Sequence, residues 1–344
     1  MCHTLIKKER DSNIELLRLI AMFLVLIVHA DFFSLGAPKQ TETILAPLGT
    51  FSRFFFESLS IICVNVFVLI SGWFGIRPSA KSFCNFVFQC LFFLVGIYAL
   101  MLSCGLSSLS VRGIAGCFVM LKWNWFIKAY IGLYILSPIL NAFVSNADKK
   151  TYKAVLLAFF AFQTLYAWVS NGAVFFEDGY STMSFIGSYL LARYVRIYFS
   201  DKKILPPPYV FLCTFGSITL IITIVSFFSV RLGLSAISGR MYSYVNPLVI
   251  ISAMSLLLYF SSLRLKNKMI NWCAASSFAI FLLHTNPNLC EPYFKPFVLW
   301  IYNTYNGIMC LLLIALFLLV VAIAAILIDQ IRKLIWKRIA KSYF

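Results

Sequence analysis

Charge is scarce in this chain, and acidic charge is scarcer still. Of 344 residues only 12% are charged, and 12 acidic side chains face 29 basic ones. Histidine is nearly absent, with three in all, His3, His29 and His284. So few imidazoles argue against a metal site. The ten cysteines are scattered through apolar sequence without Cys-x-x-Cys spacing. That pattern excludes a disulfide framework and fits small buried hydrophobes. Long polar intervals are missing too, so no soluble domain fits between the apolar runs. Low-complexity tracts and internal repeats are likewise absent.

What is present is apolar sequence: 61% of the residues are hydrophobic and 17% aromatic. A bilayer-crossing helix takes roughly 20 apolar residues, and many stretches here reach that length. A β-barrel would show short alternating segments instead. The expected fold is an all-α, polytopic membrane bundle of about ten spans, in one domain over 1–344. The spans fall near 13–33, 52–74, 83–104, 124–144, 153–171, 183–200, 208–230, 244–263, 272–290 and 306–329. The interval 105–125 is the ambiguous one, because Gly113 to Leu121 has room for a short re-entrant piece. Lys7, Lys8 and Arg10 before an apolar run imitate a signal peptide. The run is too long, carries Glu15, Arg18 and His29, and lacks a small-x-small cleavage site, so it reads as an uncleaved first span.

A net charge of +17 invites a nucleic-acid partner, but its distribution excludes one. Arg77 and Lys81, Lys149 with Lys150 and Lys153, Lys202 with Lys203, and Arg264 with Lys266 and Lys268 all fall in alternate loops. A basic tail, 330–344, adds Arg332, Lys333, Lys337, Arg338 and Lys341. All of these share a side with the N-terminal segment 1–12. By the positive-inside rule that side is cytoplasmic, so both termini are expected there.

Any chemistry must then lie within the bundle. Arg18 and His29 are eleven residues apart in the first span. Eleven helical steps return to nearly the same face, about 16 Å further along the axis. Ionisable groups in a membrane helix are costly and tend to face a cavity or pathway. A neutral imidazole can accept a hydroxyl proton, and a guanidinium suits a phosphate-bearing ligand arriving from the cytoplasm. The plainer alternatives are an interfacial histidine and a positive-inside anchor. Glu15, one turn before Arg18, is placed to pair with it.

Asn65 lies deep in the second span, and Ser71-Gly72 allows close helix approach near its inner end; ordinary helix packing explains both as well. Trp125 and Tyr134 follow Lys122-Trp123-Asn124. They fit an interfacial aromatic belt or, with Lys122, Asn124 and Lys128, the rim of a cavity. His284 nears the outer end of its span at a depth matching His29, so the two imidazoles are candidates for one cavity. Glu57 is either a solvated interfacial acid or a substrate contact. Arg193 and Arg196 read as inner anchors, with phosphate contact as the alternative.

Four segments, in order, resemble the membrane-bound acyltransferase family 3. They are Asn13 to Ala21 with Val28-His29; Val64-Asn65 through Phe67 to Ser71-Gly72; Trp125-Phe126 with Tyr134 and Pro138; and Ser277 to His284, with Phe281 where the family has Tyr. The resemblance spans essentially the whole chain. It implies an O-acyltransferase of the bacterial inner membrane that uses acetyl-CoA as donor. The implied acceptor is a sugar hydroxyl of a surface polysaccharide or its lipid-linked precursor. It also implies His29 as the catalytic histidine with Arg18 as its partner, and more loosely roles for Asn65, Ser71, Trp125 and His284. The family's Arg-rich entry to the third helix is thin here, with Arg77 and Lys81 only. The donor-side candidates are then Arg18, Ser71 and Arg77, and the acceptor-side candidates Asn65, Trp125, His284 and Glu57. No SGNH esterase-like domain follows the last span, so transfer is expected to finish in the membrane domain or through a separate polysaccharide-assembly protein. The rival classes are a flippase for lipid-linked glycans, which inverted repeats would favour, and a non-enzymatic subunit of a polysaccharide-export complex.

Overall fold

The structure is a computed structural model that describes residues 11–118, 123–170, 175–199 and 205–343. Among those residues there is no strand, as the long apolar runs require: inside a bilayer a helix satisfies its own backbone hydrogen bonds. The first span is α1 (Ser12–Ala30), prolonged by the short α2 (Phe32–Leu35). After α3 (Gln40–Leu45), the second span is α4 (Pro47–Ser60) and α5 (Cys63–Phe74). Then come α6 (Ala80–Ser103), the short α7 (Val111–Phe118), α8 (Trp125–Asn146) and α9 (Lys149–Phe162), which ends in a π-helical turn, Gln163–Val169. Next are α10 (Thr182–Tyr198), α11 (Pro208–Arg231), α12 (Ser235–Met241) and α13 (Pro247–Ser262). The chain closes with α14 (Lys268–Ala274), α15 (Ser277–His284), α16 (Pro287–Leu289), α17 (Lys295–Thr304) and α18 (Gly307–Tyr343).

Seven of these helices or helix pairs are long and apolar enough to cross a membrane: Ser12–Leu35, Pro47–Phe74, Ala80–Ser103, Trp125–Asn146, Lys149–Val169, Pro208–Arg231 and Gly307–Ser342. The other three expected spans correspond to shorter elements. α10 has 17 residues and α13 has 16. The ninth is broken into α14 and α15 at Ala275-Ser276. That break is held from α18, where Gln330 and Lys333 both donate to Ser276 Oγ, at 2.9 and 2.6 Å. In the ambiguous interval 105–125 the described residues before α8 hold one helix, α7, braced on α6 through Tyr98, whose hydroxyl accepts from Ser110 N at 3.2 Å.

α1 sits near the middle of the bundle, packed by α4, α5, α13, α14 and α15. α5 lies against α10 at Gly72, where a Cβ would overlap the Tyr189 carbonyl oxygen. The close approach expected of Ser71-Gly72 is therefore realised, and it requires a residue without a side chain. One end of the bundle gathers the basic loops. There Asn13 donates to Phe260 O at 2.8 Å, Ser12 Oγ accepts from Asn267 N at 3.0 Å, and Asn141 donates to Ile76 O at 2.8 Å. Arg196, Arg264 and Lys266 gather around one cavity at this end. Lys7, Lys8, Arg10, Lys202 and Lys203 lie outside the described residues. Inside α18, Asp329 is fully buried and holds Arg332 at 2.6 Å, while Gln89 of α6 donates to it at 3.0 Å.

Candidate active site

His29 lies in the last turn of α1 and His284 ends α15, and the packing of these helices brings the two rings together. His29 Nδ1 lies 2.8 Å from His284 Nε2, and His284 Nδ1 lies 2.6 Å from the Ile280 carbonyl oxygen. These contacts assign the protons. A carbonyl oxygen only accepts, so His284 Nδ1 carries a hydrogen. In a neutral ring its Nε2 is then a lone pair, and His29 Nδ1 must donate to it. His29 Nε2 is left as the lone-pair nitrogen of the pair. His284 is buried at 2% exposure, while His29 is half-buried and lines a cavity of about 980 Å³. Phe33, 5.1 Å away edge to face, and Phe281 flank the pair.

This cavity lies toward the end opposite the basic one. Trp125 and Phe126 of α8, Glu57 of α4 and Tyr244, just before α13, form much of its wall. Tyr180 and Asp178 arrive on a tight loop with positive φ at Glu177 (46°) and Asp178 (54°). Gly179 follows at φ 99°, where a Cβ would overlap Tyr244. The Asp178 carbonyl accepts from Tyr244 N at 3.1 Å and fastens the loop to the wall. Asn65 does not face the cavity. Its amide donates 3.0 Å to Tyr244 O from behind, so it holds the wall in place.

Beside the cavity is an ion cluster that sequence reasoning missed. Arg53 Nε donates 2.7 Å to Asp31, which caps α1, and Arg53 NH1 lies 3.5 Å from Glu42. Arg53 also donates to the Gly36 carbonyl and sits 5.5 Å from the Tyr302 ring centroid. Both Arg53 and Asp31 are buried. The cluster fixes the turn that follows His29. Its signals in the sequence were Asp31, two residues after His29, and an arginine one turn before Glu57.

The donor-side candidates lie nearer the basic end. Arg18 pairs with Glu15 at 2.8 Å, as the one-turn spacing suggests. Ser71 Oγ lies 3.2 Å from Tyr130 OH and donates 3.1 Å to Phe67 O. A second cavity, of about 750 Å³, opens here among Trp73, Arg196, Arg264 and Lys266. Arg196 stacks 4.7 Å over Trp73. Neither Arg18, Ser71 nor Arg77 lines it, and Arg77 is exposed. Among the rim residues considered at the mouth of α8, Asn124 caps the helix by accepting from Phe126 N at 2.9 Å. Lys128 is exposed, and Lys122 lies outside the described residues. No group of three or more His, Cys, Asp or Glu comes together among the described residues to hold a metal.

A family model described as an acyltransferase domain, that of acyltransferase family 3, matches residues 11–329, and the chain belongs to that family. It is a membrane acyltransferase. No curated protein and no solved structure matches it at a significant level.

Proposed function

We propose that this membrane acyltransferase moves an acetyl group from acetyl-CoA to a sugar hydroxyl of a cell-surface polysaccharide or its lipid-linked precursor. Its place would be the inner membrane of a bacterium, with both termini cytoplasmic. One observation carries the reading: His29 lines a cavity, and its Nδ1 proton is committed to a second, buried imidazole, which leaves Nε2 as its lone-pair nitrogen. Such a nitrogen serves as a general base. The acceptor oxygen attacks the thioester carbonyl while its proton passes to His29 Nε2. The carbon–sulfur bond then breaks, and the proton leaves on the CoA sulfur, so His29 ends the cycle neutral. An acyl-imidazole route would use the same nitrogen, first as nucleophile. In either route His284 acts through His29, as a positioning residue that holds the tautomer.

The donor's phosphates suit the basic end. Arg196, Arg264 and Lys266 offer cations around one cavity, and Arg18 stands about 16 Å below His29 on the same helix. The acceptor suits the opposite end, where the larger cavity is lined by aromatic and acidic side chains. Reporter fusions after Lys150 and Lys268 test the orientation, and a periplasmic signal at either would reverse it. The function is tested by comparing surface glycan from cells with and without the gene, by mass and NMR. The expected difference is an ester-linked acetyl group present only with the gene. Identical glycans would remove this acceptor class.

A further inference from the structure

Glu57 poses a problem that the transfer mechanism does not solve. It is 3% exposed, yet its Oε2 has no hydrogen-bond partner. Burying a carboxyl oxygen without a donor is expensive. The nearest cation, Arg53, is committed elsewhere: to Asp31, to Glu42 and to the Gly36 carbonyl. Phe32, one turn beyond His29, gives the Glu57 carboxyl a backbone hydrogen bond. Glu57 is thus fixed to the same stretch of chain as the base, and both face the same cavity.

The wall of that cavity also carries three aromatic rings in mutual contact. Trp125 lies 4.4 Å from Tyr180 and 6.0 Å from Tyr244, and the two tyrosines are 5.2 Å apart. They come from α8, the strained loop at Asp178 and the segment before α13, so three separate elements converge. Aromatic rings lining the same cavity as a polar atom that lacks a partner suit a ligand with a C–H-rich face and hydroxyls at its edge. A pyranose ring has that shape.

We propose that this cavity is a sugar-ring subsite in which Trp125, Tyr180 and Tyr244 carry the ring face and Glu57 Oε2 accepts a hydrogen bond from a second polar group on the ring whose hydroxyl faces His29. The inference rests on the acyl-transfer reading and deepens it. Two-point holding fixes which hydroxyl meets the base, so Glu57 is a specificity-determining residue. An unpaired acceptor oxygen takes a hydrogen bond from a hydroxyl or ammonium. The acetylated residue is therefore a sugar with a free hydroxyl or amine besides the ester.

The test uses purified full-length protein in lipid nanodiscs, radiolabelled acetyl-CoA, and glycan extracted from cells lacking the gene. Glu57→Met removes the acceptor atom at similar volume, and should raise the apparent KM for glycan by about tenfold or more. The KM for acetyl-CoA should stay unchanged. Glu57→Gln keeps one acceptor oxygen and should fall between. Trp125→Ala should shift the glycan KM in the same direction. NMR of the wild-type product should place the ester on a sugar that keeps a free hydroxyl or amine. Should Glu57→Met fail to accumulate, Glu57→Asp, which withdraws the carboxyl by one methylene, tests the same contact. A wild-type glycan KM in well-folded Glu57 variants, or equal rises in both KM values, would overturn the proposal. If wild-type protein transfers no acetyl group at all, the acyl-transfer reading fails first.

Discussion

Replacing His284 with leucine isolates the tautomer argument. In the wild type, His29 Nδ1–H donates to His284 Nε2 at 2.8 Å, and His284 is itself anchored to Ile280 O. Leucine removes the acceptor and leaves a buried donor unsatisfied, at a cost of about 1–3 kcal/mol. The His29 ring can escape that cost by moving its proton to Nε2, the form neutral imidazole favours in water. The lone pair then sits on Nδ1, on the side where His284 stood. A penalty of that size lowers the competent tautomer by about 5- to 150-fold. The expected kcat for acetyl transfer falls by the same factor, with the KM for acetyl-CoA unchanged. His284→Gln offers a carbonyl oxygen in place of the imidazole nitrogen and should recover part of the loss. Nitrogen-15 NMR of histidine-labelled protein reads the tautomer directly, since the chain holds only three histidines. Both His29 and His284 should show a protonated Nδ1 and an unprotonated Nε2. Wild-type kcat in His284→Leu, or a protonated Nε2 on His29 in the wild type, would refute the reasoning.

Three further outcomes follow from the packing and the charges. Arg53→Met strands Asp31 as an unpaired buried carboxylate and should destabilise the protein by about 3–5 kcal/mol, seen as a lower melting temperature in detergent; adding Asp31→Asn should recover part of it. Gly72→Ala drives a methyl group into the Tyr189 carbonyl and should cost about 1–3 kcal/mol by overpacking, whereas Gly96→Ala, where a Cβ meets open space, should leave the melting temperature nearly unchanged. Arg18→Lys keeps the charge but loses the two-pronged fork, so the KM for acetyl-CoA should rise while the glycan KM holds; full activity in Arg18→Ala at normal expression would remove Arg18 from the donor path.

The helical plan was legible because membrane spans announce themselves by length and by the side on which lysines and arginines accumulate. Shorter spans were legible only in outline. Nothing in the sequence marks the break at Ser276, which depends on Gln330 and Lys333 more than fifty residues later. Within one helix, periodicity carried the site well: the Glu15–Arg18 pair and the shared face of Arg18 and His29 are matters of angle per residue. Matching depth made His29 and His284 candidates for one cavity, but that one ring holds the other's proton depends on how α1 and α15 pack. Asn65 shows the opposite failure. A polar residue in an apolar span looks like a cavity residue, yet it is spent on the Tyr244 carbonyl. The aromatic wall was half visible, through Trp125. Tyr180 was not, because its position depends on positive φ at Glu177 and Asp178, and neither residue signals that conformation as glycine would.

The central claim is that His29 Nε2 carries the proton or the acyl group during transfer. The most direct measurement is acetyl content of isolated surface glycan from cells lacking the gene and supplied with His29→Ala. This variant should insert and accumulate normally, because it removes a polar group from the bundle. Loss of a general base costs about 10²–10⁴ in rate, so acetylated glycan should fall below detection while the wild-type gene restores it. Substantial acetylation by a well-expressed His29→Ala protein would contradict the account.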